Sequence, residues 1–440
     1  MKKYLELYEY YKEQIESGTL RQGMPVPSIR KCASLTGYSK TTVENAYFAL
    51  AADGYILSTE RSGYYVSYSG RSSSISVPDV TGVSKDKKPL FDLQSGDADL
   101  SSFDVALWHR YINSALRQKE RLCSYGDVQG EPDLRAAIAD YIREKRNVLA
   151  SPEQIVVGAG VQALMNILCP LLLERPDDPF SASETTVSFP DASFCQGMQT
   201  FRGYGFDVHT RDKNAQIIYV SPSHMTRFGD VMPVSRRMEL VEYSRRTGAL
   251  VIEDDYDNDF LYASRPTPAL YTLAPAGNVI YVSSFANVLT PGIHITFMVL
   301  PAPLAELFRE NTDRFAQTAS KTEQIALCGY IRDGRMASQI RRIRRHATAK
   351  VQHFYKELCT ALKDSSVNDK DILCCEVGEN GLQIKLTVCF KGSLDSFEKN
   401  NVSVFVNKYE DGILDLCLLP SAVESEKIKD AVCAVVSSLA

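Results

Sequence analysis

Between Ser67 and Pro89 the chain reads SYSGRSSSISVPDVTGVSKDKKP, a run of serine, glycine, lysine and aspartate with no apolar periodicity. Such text buries too little apolar surface to order itself and behaves as a linker. One continuous core is therefore excluded. The reading is a head at residues 1–67, a flexible linker at 68–89 and a body at 90–440. As a coil the linker spans roughly 25–30 Å on average.

Composition narrows the classes further. A net charge of −5 over 440 residues excludes a chain-wide basic nucleic-acid coat, yet leaves room for a small basic reading head. The 11 cysteines contain no C-x-x-C pair, and Cys374 and Cys375 are adjacent, so they read as reduced thiols and not as a metal site. The N-terminal MKKYLELYEYYKEQ carries charges every few residues, unlike a targeting signal. Ile155–Leu173 is uncharged but is punctuated by Gly158, Gly160, Gln162, Asn166 and Pro170, which suits strand-turn-helix text better than a lipid-facing span. Pro266–Ala305 has no Asp, Glu, Lys or Arg in 40 residues, but six prolines break it. A soluble, cytoplasmic chain with no membrane partner is expected.

The head has its own pattern. Tyr4, Tyr8, Tyr11 and Ile15 share one helical stripe, stopped at Gly18. After the turn-rich Gly23–Ser28, Ser28 suits the N-cap of a helix from Ile29 to about Leu35. Gly37-Tyr38-Ser39 makes a tight turn, and Ser39 caps a second helix with Val43, Ala46, Tyr47 and Leu50 inward. Tyr55–Leu57 and Tyr64–Val66, joined through Arg61-Ser62-Gly63, read as a hairpin. Two helices across a tight turn and then a hairpin make a winged helix-turn-helix, whose natural partner is double-stranded DNA. The candidate DNA contacts are Ser28, Arg30, Ser39, Lys40, Thr41 and Thr42 at the helix starts, with Arg61 and Gly63 in the wing. Hydroxyls and helix N-termini suit phosphates, while Arg30 and Lys40 reach phosphates or guanine edges.

The segment PVPSIRKCASLTGYSKTTVENAYFALAADGYILSTERSGYYV resembles the GntR-type winged helix over residues 5–66. Lys40 stands where that pattern usually has arginine, and Glu44 where arginine is frequent. Both changes weaken the positive groove-facing edge, so modest affinity per protomer is expected.

The body alternates apolar strands with amphipathic helices: Gln154–Val157, Ile217–Val220, Ala249–Ile252 and Val279–Val282 read as strands of a helix-wrapped parallel sheet. From about residue 315 a long basic helix (Gln339-IRRIRRHATAK), further strands and a last helix from Glu424 suggest a smaller C-terminal α+β subdomain.

Several stretches of this body resemble fold-type I, pyridoxal-phosphate-dependent aminotransferases. Tyr125-Gly126-Asp127-x-x-Gly130 with Leu134-Arg135 is similar to the cofactor-proximal segment. Gly158-Ala159-Gly160-Val161-Gln162-Ala163 is similar to the turn that receives the phosphate at a helix N-terminus. Phe194 falls where the resemblance implies an aromatic over the pyridine ring. Ser223 lies in a segment resembling TPSHQ, and Glu253-Asp254-Asp255-Tyr256-Asp257 resembles EDDYD. The resemblance implies that Asp254 meets the pyridinium nitrogen and Tyr256 the phenolic oxygen. Head, linker and body together resemble the MocR/PdxR-type transcription regulators, which implies a homodimer and a small-molecule effector.

The lysine segment of that family reads differently in this chain. In YVSSFANVLTPGIHITF, Phe285, Leu289 and Pro291 hold the frame, so Asn287 stands at the Schiff-base lysine, His294 at a phosphate-binding arginine and Ala286 at a serine; Ser284 also lies at the pocket. An amide nitrogen is not a usable nucleophile, so no internal aldimine is expected at Asn287. No arginine follows Arg345, and SHQFPTG has become Ser223–Gly229 with sequence SHMTRFG. Four readings stand open. The pocket is a remodelled sensor for a less charged effector; or it holds a pyridoxal species without a covalent bond through Asp254, Tyr256 and Phe194; or it is a dimerisation scaffold; or it is a transaminase. The first is expected, with no metal and no covalent cofactor.

Overall fold

A computed structural model describes residues 3–59, 63–67, 89–94, 102–174, 184–191, 194–225, 230–256, 267–274, 277–365, 369–378 and 381–439. The linker at 68–88, Arg61 of the wing, Asp257, and the Thr226–Gly229 part of the segment resembling TPSHQ lie outside the described residues. The chain divides into two compact units, Met1–Lys87 and Lys88–Ala440.

The first unit has helices at Lys3–Glu16, Ile29–Thr36 and Lys40–Ala52. Ser28 caps the second by accepting the Lys31 amide at 3.3 Å, and Gly37 closes it at φ 70°, in the left-handed region that glycine tolerates. Ser39 caps the third by accepting the Thr42 amide at 3.1 Å. The hairpin forms from Ile56–Thr59 and Gly63–Val66, and Pro25–Val26 adds a third antiparallel strand. That strand lies in text that reads as a turn, because two residues carry no periodicity. Leu7, Tyr8, Tyr11, Ile15, Cys32, Val43, Ala46, Tyr47, Leu50, Ile56 and Val66 make the core. Tyr11 and Tyr64 meet the Tyr47 ring edge-on at 5.6 and 5.1 Å.

The second unit is built on a seven-stranded sheet. Its order is Ile155–Ala159, Ile295–Val299, Val279–Ser284, Leu250–Asp254, Ile217–Val220, Thr186–Phe189 and Asp207–Thr210. Ile295–Val299 runs antiparallel to both neighbours, and the remaining pairs are parallel. Alternation along each strand sends residues to two cores. Ile155, Val157, Tyr281 and Phe297 join one with helices Pro132–Arg146 and Lys321–Arg332. Val156, Ile252, Ile280 and Met298 join the other with helices Val161–Leu173, Cys195–Gly203 and Ala302–Glu310.

A five-stranded sheet follows, in the order Ile372–Val377, Ile384–Cys389, Ile413–Leu418, Val402–Glu410 and Phe91–Leu93. The 30-residue helix Arg335–Asp364 and the last helix, Ile428–Leu439, pack on it through Val351, Phe354, Leu358, Val432 and Val435. Phe91–Leu93 belongs to this sheet although it opens the unit, pairing in parallel with Val402–Val404. The C-terminal layer is therefore not assembled from residues after 315 alone. No helix among the described residues is long and apolar enough to cross a membrane.

Candidate functional site

In the head, Arg30, Lys40 and Thr41 project outward and are exposed at the starts of their helices. Ser28 and Ser39 are exposed too, but their hydroxyls are already cap acceptors. Thr42 is half-buried, with its hydroxyl 2.8 Å from that of Ser39. Gly63 is exposed at φ 100°, which lets the wing turn where a Cβ would strain it.

In the body, a cavity of about 460 Å³ opens at the C-terminal ends of the parallel strands, where ligands of open α/β sheets bind. Strand alternation places its floor. Phe189 ends its strand and Tyr219 stands one residue before the end of its own, both on one face, and Asp254 and Ser284 lie on that same face. Val161 from the first turn of its helix, Phe194 and Tyr256 add to the wall, and Asn287 lies at the rim, exposed. Six of the eleven expected pocket residues are thus brought together: Val161, Phe194, Asp254, Tyr256, Ser284 and Asn287.

The other five lie elsewhere. Tyr125 is fully exposed and does not line the cavity. Gln162 points outward. Gly160, at φ 86°, is the N-cap of Val161–Leu173 and packs against His294; a Cβ there would lie 2.2 Å from the imidazole Nε2. Ser223 is turned away from the cavity because Asp255 needs a donor: its hydroxyl donates to Asp255 Oδ1 at 2.6 Å.

The consecutive acids Glu253, Asp254 and Asp255 separate by parity. Asp255 accepts Arg146 Nε at 2.7 Å, Tyr281 at 2.9 Å and Ser223. Burial alone would lower the Arg146 pKa, but Asp255 carries it above the usual value. Glu253 accepts the Leu270 and Tyr271 amides at 2.7 and 2.9 Å. Burial, aided by Asp255, raises its carboxyl to about 7. Arg237, fully buried, donates to the carbonyls of Met232, Pro268 and Pro222 at 3.0, 2.8 and 2.9 Å. Asp254 alone faces the cavity, accepting the Tyr219 hydroxyl; burial, then Asp254, pushes that phenol well above its usual range.

The sequence reading missed Gln94, Phe189, Asp191, Tyr219, Ser221, His224, Gln383 and Leu419, which also line the cavity. Tyr219 and Phe189 were findable: each lies at or one residue before the end of an apolar strand, in phase with Asp254. Gln94, Gln383 and Leu419 come from the second sheet, whose approach no local pattern announces.

Among the described lining residues the charged side chains are Asp191 and Asp254; none is Lys or Arg. Pyridoxal phosphate, the cofactor the fold family implies, needs cationic groups for its phosphate and an amine for its aldehyde. This lining matches the ring and not those two groups. The groups of three or more His, Cys, Asp or Glu that hold metals are also absent among the described residues.

Residues 3–66 match the bacterial regulatory proteins of the gntR family, and residues 88–376 match aminotransferase class I and II. The HTH-type transcriptional regulator YdeL of Bacillus subtilis is 31% identical over 78% of this chain and 76% of its own length. The probable rhizopine catabolism regulatory protein MocR of Rhizobium meliloti is 30% identical over 80% and 76%. The pyridoxine biosynthesis transcriptional regulator PdxR of Corynebacterium glutamicum is 29% identical over 79% and 77%. Among solved structures, the α-aminoadipate aminotransferase LysN of Thermus thermophilus shares the body's fold, with a TM-score of 0.63 at 20% identity over 80% of this chain and 92% of that one. The chain belongs to the MocR-type members of the GntR family, DNA-binding transcription regulators in which an aminotransferase-like domain follows a winged helix.

Proposed function

We propose that the body of this regulator senses a small molecule and carries out no transamination. The observation that carries this reading is the cavity lining. Asn287 stands at the rim, in the frame set by Phe285, Leu289 and Pro291, where the family has its lysine; among the described lining residues there is no amine. Without an amine there is neither covalent capture of an aldehyde nor a base to move the α-proton of an amino acid. Asp254, Tyr256, Phe194, Val161 and Ser284 hold the effector, and Arg30, Lys40 and Thr41 with the wing hold the operator. Two protomers read paired half-sites as a homodimer, and effector binding shifts the balance between DNA-competent and DNA-incompetent arrangements.

The test is gel retardation of the DNA upstream of the chain's own gene, by wild type and by Arg30→Ala. Retention is expected to fall at least about tenfold in the variant. Equal retention by both proteins would remove Arg30 from the interface.

A further inference from the structure

We propose that Cys359 and Cys375 are a peroxide-responsive thiol pair, closing to a disulfide between the long helix and the edge strand of the second sheet. Neither residue lines the cavity at the strand ends, so this site is separate from the effector reading.

Three observations converge. The first is proximity. The Cys359 Sγ, on helix Arg335–Asp364, lies 4.0 Å from the Cys375 Sγ, on strand Ile372–Val377, and both thiols are free. Four residues before Cys359, the Tyr355 hydroxyl donates to the Cys375 carbonyl at 3.1 Å, which ties helix to strand at this point.

The second is how the strand aims Cys375. Strict alternation would send Ile372 and Cys375 to opposite faces. The register shifts between Ile372 and Cys374, and the extra residue lets Ile372, Cys375 and Val377 all pack on the core beneath the helix. Cys375 pairs with buried Leu386, whereas Cys374 pairs with Thr387 and by parity turns to the other face. Of the two adjacent cysteines, the irregularity thus delivers one to Cys359.

The third is unequal access. Cys359 lines an open groove of about 650 Å³ with Lys356 and Lys363, three residues before it and four after on the same helical face. Cys375 is not among the described lining residues of that groove, and burial pushes its thiol up to about 12. An oxidant in solution therefore meets Cys359 first, and Cys375 is the thiol that closes the bond.

The chemistry balances with a hydroperoxide as oxidant. The Cys359 sulfur attacks the terminal oxygen, the O–O bond breaks, and the other oxygen leaves as water or an alcohol carrying the thiol proton. Cys359 is then a sulfenic acid. The Cys375 sulfur displaces its hydroxyl group, forming the S–S bond and releasing water with the second thiol proton. The two thiols supply two electrons and the peroxide accepts them. A reducing thiol reopens the bond by exchange.

The experiment treats the full-length, pre-reduced protein with a small molar excess of hydrogen peroxide, alkylates the remaining thiols and maps every cysteine by peptide mass. One cross-linked pair joining Cys359 to Cys375 is expected, lighter by two hydrogens and undone by dithiothreitol, and formed at least about tenfold faster than a disulfide at any other cysteine. In Cys375→Ser, dimedone is expected to label Cys359 as a sulfenic acid, with no cross-link. In Cys359→Ser, Cys375 is expected to remain alkylatable at the same peroxide dose. The wild-type map carries the test by itself if either variant fails to fold. Cross-links that bypass Cys359 or Cys375, a Cys375 still fully alkylated when the exposed Cys123 and Cys433 are oxidised, or an equal yield of the pair in urea overturns the proposal.

Discussion

The two faces of the strand Leu250–Asp254 hold the same kind of residue in opposite conditions. On one face Glu253 joins Asp255, just beyond the strand end, among two arginines, a tyrosine, a serine and backbone amides. On the other, Asp254 faces an open cavity with aromatic rings around it. Burial by itself therefore says little about role. What separates the two acids on this strand is what surrounds them: charged partners and backbone amides around Glu253, and aromatic rings with the Tyr219 hydroxyl around Asp254. The head repeats the contrast on a smaller scale: Ser28 and Ser39 are engaged as caps, whereas Arg30 and Lys40 project outward.

The contrast breaks most visibly at Arg146. Arg146→Leu leaves Asp255 buried beside Glu253 without its cation, and a loss of about 3–5 kcal/mol is expected in denaturant unfolding. Wild-type-like stability would mean that the inner face is not held by that pair. A pH series sharpens the same face. Because the folded state raises the Glu253 carboxyl to about 7, the native protein binds its proton more readily than the unfolded chain does. This contribution to stability is full below the unfolded carboxylate range and is lost as pH rises through about 7. Glu253→Gln is expected to flatten that slope between roughly pH 5 and 8, and an unchanged slope would exclude Glu253 as its source.

In the head, Ser39→Ala removes a cap and should cost about 1 kcal/mol in unfolding of the isolated transition. Arg30→Ala should leave stability within about 0.5 kcal/mol while weakening DNA binding. Asp254→Asn retains an acceptor for Tyr219; a change in stability under about 1 kcal/mol is expected, with the effect appearing in ligand binding instead. A large destabilisation by this variant would place Asp254 with its two neighbours and dissolve the contrast.

Much of this arrangement was legible in the chain. Caps such as Ser28, Gly37 and Ser39 act through neighbours three or four residues away, so local text specifies them. The parity of Glu253, Asp254 and Asp255 is equally local, since side chains alternate along a strand. What was not legible depends on partners far along the chain. Phe91–Leu93 becomes a strand only beside Val402–Val404, and Gln383 reaches the cavity only because the second sheet lies over it. Ser223 shows a subtler failure. Its segment resembles a ligand-facing one, but Asp255 lies within reach on the inner face and takes the hydroxyl. Tyr125 and Gln162 lie exposed on loop and helix surfaces and do not line the cavity.

The central claim is that the body recognises its ligand without bonding to it covalently. Intact-mass analysis after incubation with pyridoxal phosphate and borohydride reduction tests it most directly. The account predicts that the large unit keeps its unmodified mass at stoichiometric cofactor. A single reduced adduct mapping to a lysine at the cavity would contradict it.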